Sequence, residues 1–195
     1  GRFWKLSSSS FGSTVGDVIE LSSDYQRVWD GSASARLRPK RIIDPRETAG
    51  IVQLIDAGFF AGNRVRYSGY LQLEGQSGIE PGSAFLWIRA DNTAGKLVAF
   101  QNTIGRFQLQ DSAWQEIEIV IDIPAEASVV FFGASLLGNG SVWVDSLSLE
   151  NVSTSAPTTS PPGERPIYNP VPSADNVLDA PANLDFEETR TESSQ

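Results

Sequence analysis

The sequence predicts an all-β fold, a sandwich of two antiparallel sheets, and two observations lead to this prediction. Residues 114–150 contain runs that alternate apolar and polar side chains, which is the pattern of a half-buried strand. Similar short runs recur along residues 1–150, separated by turn signals, and none has the period of a helix. Because one sheet cannot cover its own apolar face, a second sheet must pack against it.

Residues 114–150 are predicted to form three successive strands. Isoleucine stands at every second position of residues 117–123, and residues 129–137 are nearly all apolar, as in a central strand. Asn139 and Gly140 then predict a tight hairpin turn, because both residue types accept positive φ angles. Residues 142–149 are therefore expected to pair antiparallel with the strand before them.

The earlier strands are predicted from shorter patterns. The clearest is the run from 65 to 74, in which Val65, Tyr67 and Leu71 share one face and polar residues share the other. Phe3 and Trp4 are expected to pack early against the core. The predicted strands before residue 114 are 17–25, 32–39, 48–56, 65–74, 83–90 and 96–101.

Composition excludes several functions. The chain has no Cys and no His, which excludes thiolate chemistry, His-dependent triads and imidazole metal ligands. Its net charge of −9 argues against nucleic acid as a partner, since proteins bind the phosphate backbone with clustered Lys and Arg. No apolar run approaches the roughly 20 residues of a membrane span, so direct membrane insertion is not expected.

The composition changes after residue 150. Residues 1–150 are predicted to form the sandwich, and residues 151–182 form a linker rich in Pro, Ser and Thr. Residues 183–187 (NLDFE) again alternate apolar and acidic side chains and predict a short extra strand. Residues 188–195 are expected to be a disordered tail.

Several stretches resemble one family, the galactose-binding-like jelly-roll sandwiches that serve as carbohydrate-binding modules and accessory domains of bacterial extracytoplasmic proteins. The matching residues are SASARLRP (32–39), RVRYSGYLQLEG (64–75), SAFLWIRADN (83–92), WQEIEIVIDIP (114–124) and GSVWVDSLSLE (140–150). The resemblance implies a jelly-roll fold, a non-catalytic role and an extracytoplasmic location.

Domains of this family usually begin with a segment like NLDFE, which here stands at the other end of the chain. Leu184 and Phe186 are therefore predicted to fill the slot that the missing first strand leaves, and burial stabilises each by about 1.5–3 kcal/mol. Three arrangements remain open. The segment returns to its own domain, it inserts into a neighbouring copy as an added strand, or it begins a next repeat.

The resemblance also implies a structural calcium ion. Such jelly rolls hold Ca²⁺ between the Glu of the opening strand and the Asp of the closing strand, with help from a turn. The corresponding residues are Glu187, Asp145 and the turn that begins at Asp30. The alternative is that Asp145 caps a bulge while Glu187 lies in solvent.

A ligand-binding face is predicted from residues of outward parity on the strands at 65–74 and 83–90. Aromatic rings cover the apolar face of a sugar, and planar polar groups bind its hydroxyls. The residues of this predicted site are Arg66, Tyr70, Gln72, Trp87 and Arg89. The competing interpretation places the tryptophan in the core.

The sequence therefore predicts a non-catalytic binding or assembly module whose partner is another protein or a further copy of itself. The alternative is a carbohydrate-binding module that recognises a polysaccharide. Glu116 and Glu118 lie two residues apart on one strand face, but solvent-facing Glu at this spacing is common on sandwiches. No catalytic residues are predicted.

Overall fold

The computed structural model describes residues 3–8, 15–79, 82–105, 113–159 and 177–188 of the 195-residue chain. Within these ranges the chain forms one short helix and ten strands. In chain order they are β1 (Lys5–Ser8), α1 (Val15–Val18), β2 (Ile19–Asp24), β3 (Ser34–Pro39), β4 (Thr48–Asp56), β5 (Arg64–Glu74), β6 (Ser83–Asn92), β7 (Leu97–Asn102), β8 (Gln115–Asp122), β9 (Ala127–Leu137) and β10 (Ser141–Val152).

The strands form two five-stranded sheets that pack face to face. Sheet 1 has the order β1-β4-β9-β6-β7, sheet 2 has the order β2-β3-β10-β5-β8, and neighbouring strands in both run antiparallel. The predicted fold class, a β-sandwich of two antiparallel sheets, is confirmed. No helix within the described residues is long and apolar enough to cross a membrane.

The core lies between the sheets and follows the predicted alternation. Leu86 and Phe132 of sheet 1 belong to the same buried cluster as Tyr67, Leu71 and Ile119 of sheet 2. The Tyr67 ring meets the Phe132 ring edge to face, with 5.3 Å between centroids. The face of β5 shared by residues 65, 67 and 71 therefore turns inward, which alternation alone had left open.

The predicted hairpin at residues 139–140 is wrong. β9 belongs to sheet 1 and β10 to sheet 2, so the connection carries the chain across the sandwich. Asn139 is buried there, and its side-chain amide accepts a hydrogen bond from the Ile43 N–H and donates one to the Ile43 carbonyl, both at 2.9 Å. The two flanking glycines have φ of 78° and 135°, so an Asn-Gly pair serves this crossing as readily as it serves a hairpin.

Part of the C-terminal extension completes the edge of sheet 1. β1 pairs only with the first half of β4, and Leu178 makes a parallel bridge to Ile55 just beyond it. The Leu178 N–H donates to the Leu54 carbonyl, and the Asp56 N–H donates to the Leu178 carbonyl, both at 2.8 Å. The tail therefore contributes a single bridge at residue 178 to the sheet edge, within the segment predicted to be linker.

The predicted extra strand at 183–187 is not a strand. Its backbone turns at Leu184 and Asp185, and φ is positive at Asn183 and Phe186. This turn lets Phe186 enter the core, where it is only 6% exposed and stacks on Trp4 with 5.4 Å between ring centroids. The alternation of apolar and acidic residues in this segment thus predicted the burial of Phe186 correctly. It predicted an extended backbone, which is wrong.

The segment is also held by backbone contacts with the sandwich. The Trp4 indole N–H donates to the Asn183 carbonyl, and the Leu147 N–H donates to the Leu184 carbonyl, both at 3.0 Å. Leu184 is partly buried against the core. The structure describes a single chain, so insertion of this segment into a neighbouring copy stays a prediction.

The sandwich extends past the predicted boundary at residue 150. β10 ends at Val152, and the Val120 N–H donates to the Thr159 hydroxyl at 3.0 Å. Residues 160–176 and 189–195 lie outside the described residues. The first range is just over half of the predicted linker, and the second is nearly all of the predicted disordered tail.

Candidate functional site

The outward-facing side chains of sheet 2 form a surface of rings, amides and charges, which we call the polar face. Strand register places Arg36, Trp143 and Gln72 side by side across β3, β10 and β5. Tyr70 is the next outward residue on β5 and lies opposite Glu116 of β8. The mixture arises because these strands alternate strictly, with their apolar members turned toward the core.

An exposed aromatic stack lies on the polar face. The Trp29 indole stacks on the Tyr70 ring with 4.1 Å between centroids and 14° between planes, and the two rings are called the platform below. Trp29 is 47% exposed although one of its faces is covered by Tyr70, so its other face is open to solvent. Partial burial, and then the negative charge of Glu116, raise the pKa of Tyr70 above its usual value.

A second tryptophan lies beside the platform, beneath two guanidinium groups. The guanidinium carbons of Arg27 and Arg36 lie 4.2 and 5.1 Å from the centre of the Trp143 ring. The Trp143 indole N–H donates to Asp24 at 2.8 Å, and Arg27 forms an ion pair with Glu74, also at 2.8 Å. These contacts order planar donors and acceptors on the sheet surface beside the open Trp29 ring.

Residues 25–33, called the aromatic loop below, carry Trp29, and three carboxylates hold this loop. Asp24 accepts the N–H groups of residues 26 and 27 at 2.9 and 3.1 Å. Asp145 accepts those of residues 29 and 30 at 2.8 and 3.3 Å. Glu187 accepts those of residues 32 and 33 at 2.6 and 3.0 Å, together with the Ser32 hydroxyl. Six backbone donors of the loop are thus fixed by side chains from three separate parts of the chain.

Glu187 lies directly on the turn of the aromatic loop. Gly31 has a φ of 72°, and a Cβ atom there would stand 2.3 Å from a Glu187 carboxylate oxygen. The Asp30-Gly31 turn therefore needs glycine both for its backbone angle and for the approach of the carboxylate. Through this contact, the docked tail supports the loop that carries Trp29.

The environments of Asp145 and Glu187 move their pKa values in opposite directions. Hydrogen bonds from the Ser32 hydroxyl and then from the N–H groups of Ser32 and Ala33 lower the pKa of Glu187. Burial raises the pKa of Asp145, against the opposing effect of hydrogen bonds such as that from the Trp29 N–H. Asp145 also accepts the N–H of the next residue, so it caps the bulge in β10. The alternative to a metal site predicted this cap but placed Glu187 in solvent, whereas Glu187 is hydrogen-bonded to the aromatic loop.

The carboxylates predicted as calcium ligands are hydrogen-bonded to the aromatic loop in this structure. The oxygens of Asp145 and Glu187 accept backbone N–H groups of that loop. Among the described residues, no group of three acidic side chains lies close enough to hold a metal ion. Asp30, the third predicted ligand, donates its backbone N–H to Asp145. A structural calcium ion stays a prediction of the resemblance.

The five residues of the predicted ligand-binding face lie on two opposite surfaces. Arg66, Tyr70 and Gln72 are on the polar face, whereas Trp87 and Arg89 are on the outer surface of sheet 1. β5 and β6 belong to different sheets, and Trp87 is buried in a hydrophobic cluster, as the competing interpretation of this residue predicted. Trp87 is 1% exposed and donates its indole N–H to Ser135, and Arg89 pairs with Asp91 at 2.6 Å. The structure therefore brings three of the five together.

Sequence reasoning missed the residues that define the polar face most clearly, namely Trp29, Arg27, Trp143 and Arg36. Trp29 lies in a loop, where period-2 alternation gives no signal. A tryptophan immediately before an Asp-Gly turn was the available hint, since a large ring in a tight loop has little core to enter. Trp143 could have been found from its outward parity within β10.

The two carboxylates considered for catalysis lie on the polar face with separate neighbours. Glu118 pairs with Arg66 at 3.2 Å, and Arg66 also pairs with Glu150 at 3.3 Å. Glu116 lies beside Tyr70. Each carboxylate thus faces a different structural neighbour on the sheet surface.

The architecture is that of the jelly-roll sandwiches of the carbohydrate-binding-module type, as the sequence resemblance predicted. The structure is similar to the CBM22-1 xylan-binding domain of Paenibacillus barcinonensis Xyn10C, with a TM-score of 0.54 at 12% identity over 79% of this chain and 88% of that domain. It is similar to the C-terminal family 22 carbohydrate-binding module of Clostridium thermocellum Xyn10B, with a TM-score of 0.52 at 11% identity over 78% and 88%. These similarities establish the fold.

A third similar structure is the enzymatically active domain of bacteriophage CBA120 tailspike protein 4, with a TM-score of 0.55 at 15% identity. The match covers 76% of this chain and 19% of that one. The same sandwich thus occurs as a small part of a much larger protein.

A curated relative is more similar in sequence. The chain is 33% identical over 172 residues to the uncharacterized HTH-type transcriptional regulator YbfP of Bacillus subtilis (strain 168), covering 87% of this chain and 53% of the relative. The chain therefore spans about half the length of that protein. No protein-family model matches the chain.

Proposed function

We propose that this domain is a non-catalytic carbohydrate-binding module and that the polar face of sheet 2 is its binding surface. The observation that carries the proposal is the open face of Trp29, stacked on Tyr70 and held in a fixed loop. The fold supports it, since similar structures include domains described as xylan-binding and carbohydrate-binding modules. The sequence-based alternative is thus favoured over the protein-contact role.

The chemistry of the polar face suits a sugar. A pyranose ring has an apolar face that packs on an aromatic ring, and its equatorial hydroxyls need planar donors and acceptors at the edge. Trp29 provides the ring. Arg27 and Glu74 provide partly exposed guanidinium and carboxylate groups on the same surface. The Gln72 amide lies between the neighbouring strands there but is only 6% exposed.

Rigidity of the aromatic loop would favour binding. A loop that is ordered only when ligand arrives pays that ordering cost from the binding energy. Here three carboxylates fix six backbone N–H groups before any ligand is present. The tail takes part through Glu187, so we assign residues 177–188 to the binding domain itself.

The relative in Bacillus subtilis suggests a setting for such a module. Its name describes an HTH-type transcriptional regulator, and this chain corresponds to about half of it. We propose that the domain acts as the ligand-sensing part of a larger protein, with sugar binding as the signal. An extracytoplasmic location fits an accessory domain of a secreted enzyme, whereas a regulator places the domain inside the cell. Localising the full-length protein separates the two.

Affinity gel electrophoresis tests the proposal. The protein is run through gels containing xylan, mixed-linkage glucan, galactan or polygalacturonate, and its mobility is compared with that in a gel without polysaccharide. We expect retardation in at least one gel and loss of that retardation in Trp29→Ala and Tyr70→Ala. Without the platform, the sugar loses an interaction worth about 1–2 kcal/mol, which is roughly a tenfold change in affinity.

Phe59→Ala is the matched control, because Phe59 is an exposed aromatic residue on the turn after β4, away from the polar face. It should bind like the wild type. Equal mobility of the wild type in all gels would contradict the proposal, as would retardation that Trp29→Ala leaves unchanged. The predicted assembly role is tested separately, by comparing the mass in solution of the full chain and of a version ending at residue 159.

A further inference from the structure

A cleft opens at one end of the polar face, where the loop after β3 approaches the end of β5 and the start of β10. Its volume is about 450 Å³. Four cationic side chains line it, Arg36, Arg38, Lys40 and Arg41, and the one carboxylate among its lining residues is that of Glu74. We call it the basic cleft.

The cations of the basic cleft have acids near them but form no close ion pair with any that the structure describes: the charge of Arg36 acts on Asp24 and Glu74, and Glu20 lies opposite Arg38 on the neighbouring strand. Glu74 already forms an ion pair with Arg27 at 2.8 Å. Among the described residues, no carboxylate forms an ion pair with any of the four lining cations. This concentration of positive charge stands in a protein of net charge −9, so it is a local feature of this surface.

One of these cations also has an unused donor. The Arg36 Nε is buried and finds no hydrogen-bond partner within the described part of the chain. Leaving a buried charged donor without a partner is costly. Because the Nε itself has no surface open to the cleft, an anion there would bind the terminal Nη groups of the same guanidinium. Arginine suits this role because its guanidinium binds carboxylate and sulfate oxygens in two parallel hydrogen bonds.

The basic cleft continues directly from the platform. Arg36 lines the cleft and also lies over Trp143 on the polar face. Along β5, Tyr70 of the platform and Glu74 in the cleft are four residues apart on the same face, which is about 13 Å. A ligand that reaches both must therefore be a chain of several sugars.

We infer that the ligand of this domain is an anionic saccharide chain, whose neutral ring stacks on Trp29 while a carboxylate or sulfate group enters the basic cleft and binds Arg36, Arg38 and Arg41. The inference rests on the proposed carbohydrate binding and names its substrate class. Hydrogen bonds to charged groups are stronger than those between neutral groups, so the anion should raise affinity by tenfold or more.

The experiment compares each acidic polysaccharide with its own neutral form. Glucuronoxylan and polygalacturonate are paired with their carboxyl-reduced forms, and dextran sulfate is paired with dextran, so that the arms distinguish carboxylate from sulfate. Affinities are measured in gels at fixed salt for the wild type and for Arg38→Gln/Arg41→Gln. We expect the acidic form of at least one pair to bind at least tenfold tighter, and the double variant to remove most of this preference.

Arg46→Gln/Lys96→Gln is the charge-matched control, since both side chains lie outside the lining of the cleft and the variant removes the same charge. It should keep the preference. Equal binding of acidic and neutral forms, abolished by Trp29→Ala, would overturn the inference and leave the proposed function standing. A preference that survives in Arg38→Gln/Arg41→Gln would also overturn it. Failure to bind any member of any pair would overturn the inference, and the proposed function would fall with it only if the mixed-linkage glucan and galactan gels also showed no retardation.

Discussion

The outer surfaces of the two sheets carry similar aromatic residues with opposite roles. On sheet 1, Phe85, Trp87 and Phe131 form a second buried cluster with Val52 and Leu54. The Trp87 indole N–H is satisfied internally by Ser135, at 3.0 Å. On sheet 2, Trp29 is held by a loop above the strands and nearly half of its surface faces solvent.

The difference shows that outward parity alone does not make a binding residue. An outward tryptophan within a strand is easily covered, and Trp87 then contributes apolar burial with its one polar atom paired internally. A tryptophan on a loop that is pinned above a sheet keeps one face open while its other face stacks on a strand residue. Stability and binding should therefore separate between these two surfaces.

The largest expected effect comes from Trp87→Ala. Removing this buried side chain leaves a cavity in the second cluster and should lower the free energy of unfolding by about 3–5 kcal/mol. Trp29→Ala loses mainly one aromatic stack, so its cost should be about 1 kcal/mol. Urea unfolding followed by circular dichroism measures both. Similar losses in the two variants would show that the two surfaces do not differ as described.

The second effect concerns the tail, on which the polar face depends through Glu187. Phe186→Ala should lower the free energy of unfolding by about 3 kcal/mol, because the ring is buried against Trp4 and leaves a cavity. It should also weaken polysaccharide retention, since loss of the docked segment frees the aromatic loop. Val177→Ala is the control, being an exposed apolar residue in the same segment. Unchanged stability in Phe186→Ala would mean that the tail is not part of the folded domain.

Much of the fold could be predicted because strand alternation is a local property. The strand at 48–56 was predicted with the bounds of β4, and the division of β5 into an apolar and a polar face was also correct. Which strands are neighbours is not local. The alternation within each strand shows which residues share a face with Trp87 or with Tyr70. It does not show that β5 and β6 lie in different sheets.

The candidate site was harder to predict for the same reason. Its central ring lies in a loop whose position is set by Asp145 and Glu187, which are more than a hundred residues away in sequence. Only tertiary structure shows that such distant carboxylates accept hydrogen bonds from one loop. The resemblance singled out both carboxylates, but in a metal-binding role.

A smaller effect should appear as a pH dependence. The pKa of Glu187 is lower in the folded protein than its ordinary value of 4.5, so its contribution to stability is complete above that value. The contribution is lost as the pH falls through the folded pKa. The Asp145 pKa is raised by burial, so its contribution has the opposite sign and must be separated from that of Glu187.

The comparison of wild type with Glu187→Gln makes this separation. The stability advantage of the wild type should be constant from about pH 7 to pH 5 and should shrink below about pH 4.5. Thermal unfolding at each pH measures the difference between the two proteins. An advantage that grows on acidification would mean that Glu187 does not act as a charged acceptor for the aromatic loop.

The smallest expected effect is that of calcium. A calcium ion bound at a concentration 100-fold above its Kd would add about 2.7 kcal/mol, enough to raise the Tm by roughly 5–10 °C in a domain of this size. Because the oxygens of Asp145 and Glu187 already accept backbone N–H groups, we expect added calcium or EDTA to leave the Tm nearly unchanged. Thermal scans with 5 mM calcium (about 100-fold above a Kd of roughly 50 µM) and with EDTA make this measurement, and Glu187→Gln serves as the reference. A calcium-dependent rise in the wild type that is absent from Glu187→Gln would restore the metal site implied by the sequence resemblance, with the ion replacing the loop amides as the partner of both carboxylates.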